Sequence, residues 1–399
     1  MTSKRLKVSI IYFVVVILTL LMRVASALDI YSALGIDDAD AFWSCTIQIV
    51  IFGVVPFVMY VLWVAGKEDK LLPYFPAKQK KKDEENDADC ESVVDAEYAR
   101  DDQPATAEFS ASAALDSDAQ QYQSNEVANE VAEVAEPAKE KKGQKVARAC
   151  KALLHDFGFK KISFKGAVSM VVLAVCMIII GSGVSMLWQA ILSLMGYTHS
   201  SSDTQYSSIW VLVEELVLVA VLPGFFEEFS HRGLLFAGFK ETGWKFVLLS
   251  ALFFSLMHQN IVQTGYTFVD GISMALVMYY TGSIWPSMFM HFLNNAWSVF
   301  IGYVSDNGGV FSFIIQAGDW LYSSLGGLIV CVLAVLIATG LAVFMFWILR
   351  NEAVKNGRID SKPFKNTNAY PLAHDLLFWL IVAVGVAATT FSFVWGILR

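Results

Sequence analysis

Charge is scarce in this chain. Asp, Glu, Lys and Arg make up 17% of its 399 residues, against ~25% in an ordinary soluble domain. Hydrophobic residues make up 56%, above the ~45–50% of such domains. The two together exclude a simple soluble enzyme and point to a membrane protein. Cysteine is also sparse. Cys45, Cys90, Cys150, Cys176 and Cys331 contain no Cys-x-x-Cys pair, so neither a disulfide framework nor a zinc knuckle is indicated. No internal repeat is evident, and there is no His-Glu-x-x-His run of the kind that places two zinc ligands on one helix face.

The little charge present is unevenly distributed. The net charge is −8, yet residues 83–138 hold 17 Asp/Glu and one basic residue, Arg100. The remainder, with 28 basic and 20 acidic residues, is positive. The acidic tract is rich in Asp, Glu, Ala, Ser and Gln and poor in bulky apolar residues. It cannot bury enough surface to offset its ordering entropy, so disorder is expected there.

Apolar runs long enough to cross a ~30 Å hydrocarbon core fall at 8–28, 42–65, 167–195, 208–230, 244–260, 264–281, 284–304, 323–349 and 376–397. The expected fold is all-α, a polytopic membrane helix bundle of about 8–9 transmembrane helices with a disordered cytoplasmic linker. The first run is read as a retained span. It is long, and Ala25-Ser26-Ala27 is a weak cleavage site. Basic residues cluster before the first span, after the second, over 139–165, and between the last two. All of these fall on one side if the N-terminus is cytoplasmic. The expected organisation is a two-helix hairpin (1–66), a charged cytoplasmic linker (67–144) and a basic amphipathic juxtamembrane segment (145–165). A membrane core (166–305) and a C-terminal two-helix region (306–399) follow. The basic loops suit anionic lipid head groups. Nothing indicates a nucleic-acid partner or an oligomeric state.

An ionisable residue inside a membrane segment is a functional candidate by default. Such residues cluster between 227 and 291. Glu228 and Arg232 are i, i+4 and share a helix face, where they can pair. Glu227 is rotated by about 100°, which leaves it less well served by Arg232 and free for acid–base work. His291 and Asn295 are also i, i+4. Two such donors suit a developing oxyanion, and equally suit a hydrogen bond to a neighbouring helix. His258 ends an apolar run. Glu227 and His258 each lie 13 residues from a lysine, Lys240 and Lys245, or ~20 Å of helix. Pro223-Gly224 is expected to break the over-long helix around it.

These residues carry a family resemblance. Glu227-Glu228-Phe229-Ser230-His231-Arg232 matches Glu-Glu-x-x-x-Arg. Phe254-Ser255-Leu256-Met257-His258 matches Phe-x-x-x-His, and His291-Phe292-Leu293-Asn294-Asn295 matches His-x-x-x-Asn. In this order they resemble the CPBP intramembrane proteases, which include type 2 CAAX prenyl endopeptidases and bacteriocin-processing or self-immunity proteins. His231 stands where that family usually has an aromatic residue. The resemblance implies an endopeptidase acting on a membrane-associated protein or peptide. It implies that Glu227 and His258 activate water and that His291 and Asn295 stabilise the oxyanion. Glu228 and Arg232 would then be structural or substrate-orienting. A metal-free mechanism is favoured. A zinc-dependent version would use Glu227, His258 and His291 as ligands. Two other classes compete: a proton-coupled transporter, which would carry paired broken helices, and a catalytically silent immunity or scaffold protein.

Overall fold

The computed structural model describes residues 3–28, 30, 39–67, 142–198, 204–361 and 376–398. The acidic tract and the linker expected over most of 67–144 lie outside them. All regular structure among the described residues is helical. Helix α1 is Ser3–Ala27, α2 is Ala41–Trp63 and α3 is Lys142–Asp156. Helices α4 (Phe164–Leu194) and α5 (Ile209–Thr242) lead into α6 (Trp244–Met257). The rest are α7 (Ile261–Thr281), α8 (Trp285–Asn307), α9 (Ser312–Ser323), α10 (Leu325–Lys355) and α11 (Leu376–Leu398).

Seven of these helices are long and apolar enough to cross a membrane, and α8 with the following Gly309–Ser323, bent by 105°, raises the number to eight. This agrees with the expected polytopic bundle. The run expected at 244–260 is the exception. It forms only the 14-residue α6, which rises ~21 Å and does not cross a ~30 Å core alone. Gln259, in a left-handed conformation at φ 48°, turns the chain, and the Asn260 side chain caps α7 by accepting from Val262 N–H at 3.0 Å. Ser163 and Ser324 cap α4 and α10 in the same way.

Two expectations change in detail. Residues 208–240 do not break at Pro223-Gly224. The helix continues, and a π-helical turn over Leu216–Val221 precedes the proline. Widening the turn relieves the clash of the ring with the turn before it and keeps the helix running. A π-helical stretch over Thr46–Val54 precedes Pro56 in α2 likewise. The amphipathic segment at 145–165 is helical over its first part, but it does not simply lie on a lipid surface. Leu153 and Phe157 are fully buried in the protein core, with Phe157 edge-on to Tyr60 at 4.8 Å.

That docking gathers several chain segments at one end of the bundle. Asp156, on α3, accepts from Lys4 Nζ at 2.9 Å and from Tyr60 Oη at 2.6 Å. Burial opposes ionisation of Asp156. The Tyr60 hydroxyl and the Lys4 ammonium outweigh it and hold the carboxyl below the usual carboxylate range. At the same end, Ser283 Oγ donates to the Lys160 carbonyl at 2.7 Å, and Arg358 donates to the Tyr280 carbonyl at 2.9 Å.

Helices α4, α7 and α8 pack on one another, α5 packs on α8 and touches α7, α6 lies against α7, and the α1–α2 pair lies against α5. Large apolar side chains such as Leu336, Ile337 and Val343 of α10 are more than half exposed, as a lipid-facing surface requires. The α6–α7 contact depends on a glycine. A side chain on Gly271 would come within 2.9 Å of Ala251 Cα, so the absence of one lets the two backbones touch. Gly271→Val should therefore lower the thermal unfolding temperature in detergent, at a cost of ~1–3 kcal/mol. Gly340→Val, where nothing lies within 4 Å, should leave it in place. Equal effects of the two would contradict this account of the packing.

Candidate active site

The site begins with the problem posed by a proline inside α5. Ahead of Pro223 the helix bonds five residues back, as from Leu222 N–H to Val217 O, so in that register the carbonyl that Pro223 cannot serve is Leu218's, and Ser44 Oγ of α2 donates to it at 3.1 Å. Asn295 of α8 donates Nδ2 to the neighbouring Val219 carbonyl at 2.8 Å. The neighbouring Gly224 permits close approach, because a Cβ there would lie 3.1 Å from Phe292 backbone atoms. The Pro-Gly pair thus seats α5 directly against α8, one turn before Glu227 and Glu228 on α5.

Glu228 and Arg232 are both fully buried, and Arg232 Nη1 donates to Glu228 Oε1 at 2.6 Å. This is the i, i+4 pair read from the sequence. Two further contacts were not visible there. The guanidinium lies 4.3 Å above the ring of Phe254, the first residue of the second motif. His291 Nδ1 lies 2.9 Å from the same Glu228 oxygen. A carboxylate only accepts, so the imidazole donates through Nδ1 and presents Nε2 on its other side. Arg232 also reaches the Gly271 carbonyl at 3.4 Å. Glu228 and Arg232 therefore join four helices and set the orientation of His291.

Glu227 points elsewhere, as its rotation around the helix implies. Its Oε2 stands 4.0 Å from His291 Nε2, beyond direct hydrogen bonding and close enough for one water to bridge. Its Oε1 accepts from Gln48 Nε2 of α2 at 2.7 Å. His258, at the end of α6, donates Nδ1–H to the Phe254 carbonyl at 2.8 Å, which leaves Nε2 with its lone pair. His258, His291 and Asn295 line one cavity of about 210 Å³ with Asn294 and Asp270. Phe254 separates the two imidazoles, its ring 4.9 Å from His258 and 5.4 Å from His291. Of the six candidate residues, Glu228, Arg232 and His291 are directly bonded. Glu227 adjoins His291, and His258 and Asn295 share the cavity. Asn295 has already committed one amide hydrogen to Val219.

His231 is not part of this group. It is fully buried, shares a 2.7 Å hydrogen bond with Tyr12, and packs edge-on to Phe254 at 5.2 Å. An imidazole here occupies an aromatic position within a cluster of rings, which accounts for the departure noted in the first motif.

Three residues near the site were not singled out from the sequence. Gln48 holds Glu227. Arg23 of α1 donates to the His258 carbonyl at 2.6 Å. Asp270, in the middle of α7, is buried against the cavity. Asp270 and Gln48 each carried a signal, a polar side chain inside an apolar span. Among the described residues, no three His, Cys, Asp or Glu side chains are arranged to hold a metal ion.

Residues 208–297 match the family model described as type II CAAX prenyl endopeptidase Rce1-like. That stretch contains all three motifs. No curated protein matches the chain, and no solved structure does.

The Glu228–Arg232 pair makes a prediction of its own. Removing one partner leaves the other charge buried and alone, at ~3–5 kcal/mol. Glu228→Gln and Arg232→Met should each destabilise the detergent-solubilised protein strongly, while the double variant should cost clearly less than the two together. Unfolding measurements giving simple additivity would contradict the coupling.

Proposed function

For a chain that carries a type II CAAX prenyl endopeptidase Rce1-like domain over residues 208–297, we propose an intramembrane endopeptidase. It hydrolyses a peptide bond of a membrane-associated protein or peptide. The observation that carries this reading is the approach of Glu227 Oε2 to His291 Nε2 at 4.0 Å, beside the cavity that His291 shares with His258 and Asn295. Two oriented imidazoles lining a cavity, with a carboxylate reaching one of them from beside it, suit hydrolysis better than an ion-pair network alone.

In the proposed sequence, Glu227 takes a proton from water while His258 Nε2 accepts the water's second hydrogen bond and holds it. The hydroxide oxygen bonds to the scissile carbonyl carbon. The developing oxyanion accepts hydrogen bonds from His291 and from the remaining N–H of Asn295. For this His291 must carry protons on both nitrogens, with Nδ1–H given to Glu228. Collapse of the tetrahedral intermediate breaks the C–N bond, and Glu227 returns its proton to the leaving amine. Glu228 and Arg232 act by positioning. Gln48 fixes the Glu227 carboxylate. No step is routed through a metal.

We place the end of the bundle that holds Lys4, Asp156 and Arg358 at the cytoplasm. The support is the positive charge around it, including Arg148, Lys151, Lys160, Lys161 and Lys165. Anionic head groups are the natural partner of that face.

The test is cleavage of membrane-inserted reporter peptides by purified protein. Glu227→Gln, His258→Ala and His291→Ala should each lower kcat/KM by ~10²–10⁴ while the protein still inserts. Glu227→Gln and His258→Ala should keep the unfolding temperature, and His291→Ala, which removes a donor from buried Glu228, should lower it. A strong zinc chelator should leave the wild-type rate unchanged. Loss of activity to the chelator, restored by zinc, would replace this mechanism with the zinc reading on Glu227, His258 and His291. Retained function in Glu227→Gln would favour the scaffold class.

A further inference from the structure

Asp270 is a carboxylate without a use in the mechanism above. It sits on α7, and the residue is 3% exposed. Its Oδ1 is buried with no hydrogen-bond partner, and among the described residues it forms no ion pair. The guanidinium of Arg232 is bonded to Glu228 at 2.6 Å and to the carbonyl of Gly271, the residue after Asp270, at 3.4 Å. A lone carboxylate in a membrane interior is costly, and a buried polar atom without a partner calls for a physical reason.

The surroundings supply one. Asp270 lines the 210 Å³ cavity that contains His258 and His291. It also lines an adjoining cavity of about 640 Å³ between α4, α7 and α8. Gln263, Tyr266, Asn294, Asn295 and Ser298 belong to both, so the two spaces share a wall. The larger cavity is polar, lined by hydroxyls and amides with Trp297 and Tyr322. Among the described residues that line it, Asp270 is the one carboxylate, and none is Lys or Arg. Gly181 of α4 faces the carboxylate and puts no side chain over it.

We propose that this larger cavity is the substrate subsite next to the scissile bond and that it receives a cationic side chain, lysine or arginine, on Asp270. This rests on the endopeptidase reading and adds a substrate class to it. The incoming cation satisfies the orphaned oxygen through a charge-assisted hydrogen bond, and the aromatic walls suit an ammonium or guanidinium. Asp270 is then a specificity residue and takes no part in bond cleavage.

The experiment uses the full chain in lipid nanodiscs with N-acetylated reporter peptides that differ only beside the scissile bond: Lys, Arg, norleucine or Glu. The wild type should cleave the Lys and Arg peptides with kcat/KM at least tenfold above norleucine, and the Glu peptide least well. In Asp270→Asn the basic-to-neutral ratio should collapse toward one, and in Asp270→Glu it should be kept. The ratio, not the absolute rate, is the readout. Equal use of Lys and norleucine peptides by the wild type would overturn the proposal without any variant. A gain that follows a free peptide amino terminus instead of the side chain would also overturn it. Binding of the same peptides to the Glu227→Gln protein separates the two claims. Tighter binding of the basic peptides with no cleavage by the wild type would sink the endopeptidase reading and keep the cation subsite. Cleavage without basic preference would do the reverse.

Discussion

The buried pair of Glu228 and Arg232 is the constraint around which the rest of the site is arranged. Two opposite charges with no exposure to solvent gain from each other only when geometry and further hydrogen bonds offset their desolvation. The chain provides those contacts from four helices. The pair itself is on α5, the ring beneath the guanidinium comes from α6, a carbonyl from α7 and an imidazole from α8. Each contact is also a positional restraint, so satisfying the charge assembles the three motifs. His291 is turned so that Nε2 faces Glu227, and Phe254 is fixed between the two imidazoles. The sequence motifs are therefore unlike a set of independent catalytic residues. In the proposed mechanism some of their members act on the reaction, and others hold those members in place.

A second consequence concerns the helices outside the matched stretch. Residues 208–297 carry the family likeness, yet α1 and α2 complete the site. Gln48 holds Glu227, Arg23 holds the carbonyl of His258, and Tyr12 holds His231. Ser230 Oγ donates to the Phe52 carbonyl at 2.8 Å, tying α5 to α2. A core lacking α1 and α2 would keep every motif residue and lose the groups that hold Glu227 and His258.

Much of this was legible in the sequence, for a definable reason. Helical periodicity is local, so the Glu228–Arg232 pair and the divergence of Glu227 followed from spacing alone. Apolar runs of membrane length marked the bundle. What periodicity does not contain is which face of one helix meets which face of another. The bonds Glu228–His291, Glu227–Gln48 and Asn295–Val219 span 63, 179 and 76 positions and arise from packing. The Asn295 bond shows this most clearly: the i, i+4 spacing correctly put it beside His291, while its link to the Val219 carbonyl required the fold. The continuous helix through Pro223 has the same origin, since π-helical turns depend on the contacts that reward them. Asp270 was readable as an ionisable residue within a span, but no motif drew attention to it.

Cleavage of peptide bonds in the membrane by this constellation would leave new amino termini there. The most direct measurement is labelling of newly formed amino termini in membranes containing wild-type protein or Glu227→Gln at equal abundance. The account predicts a set of membrane-embedded termini present with the wild type and absent with the variant. Identical sets of termini in the two membranes would contradict it.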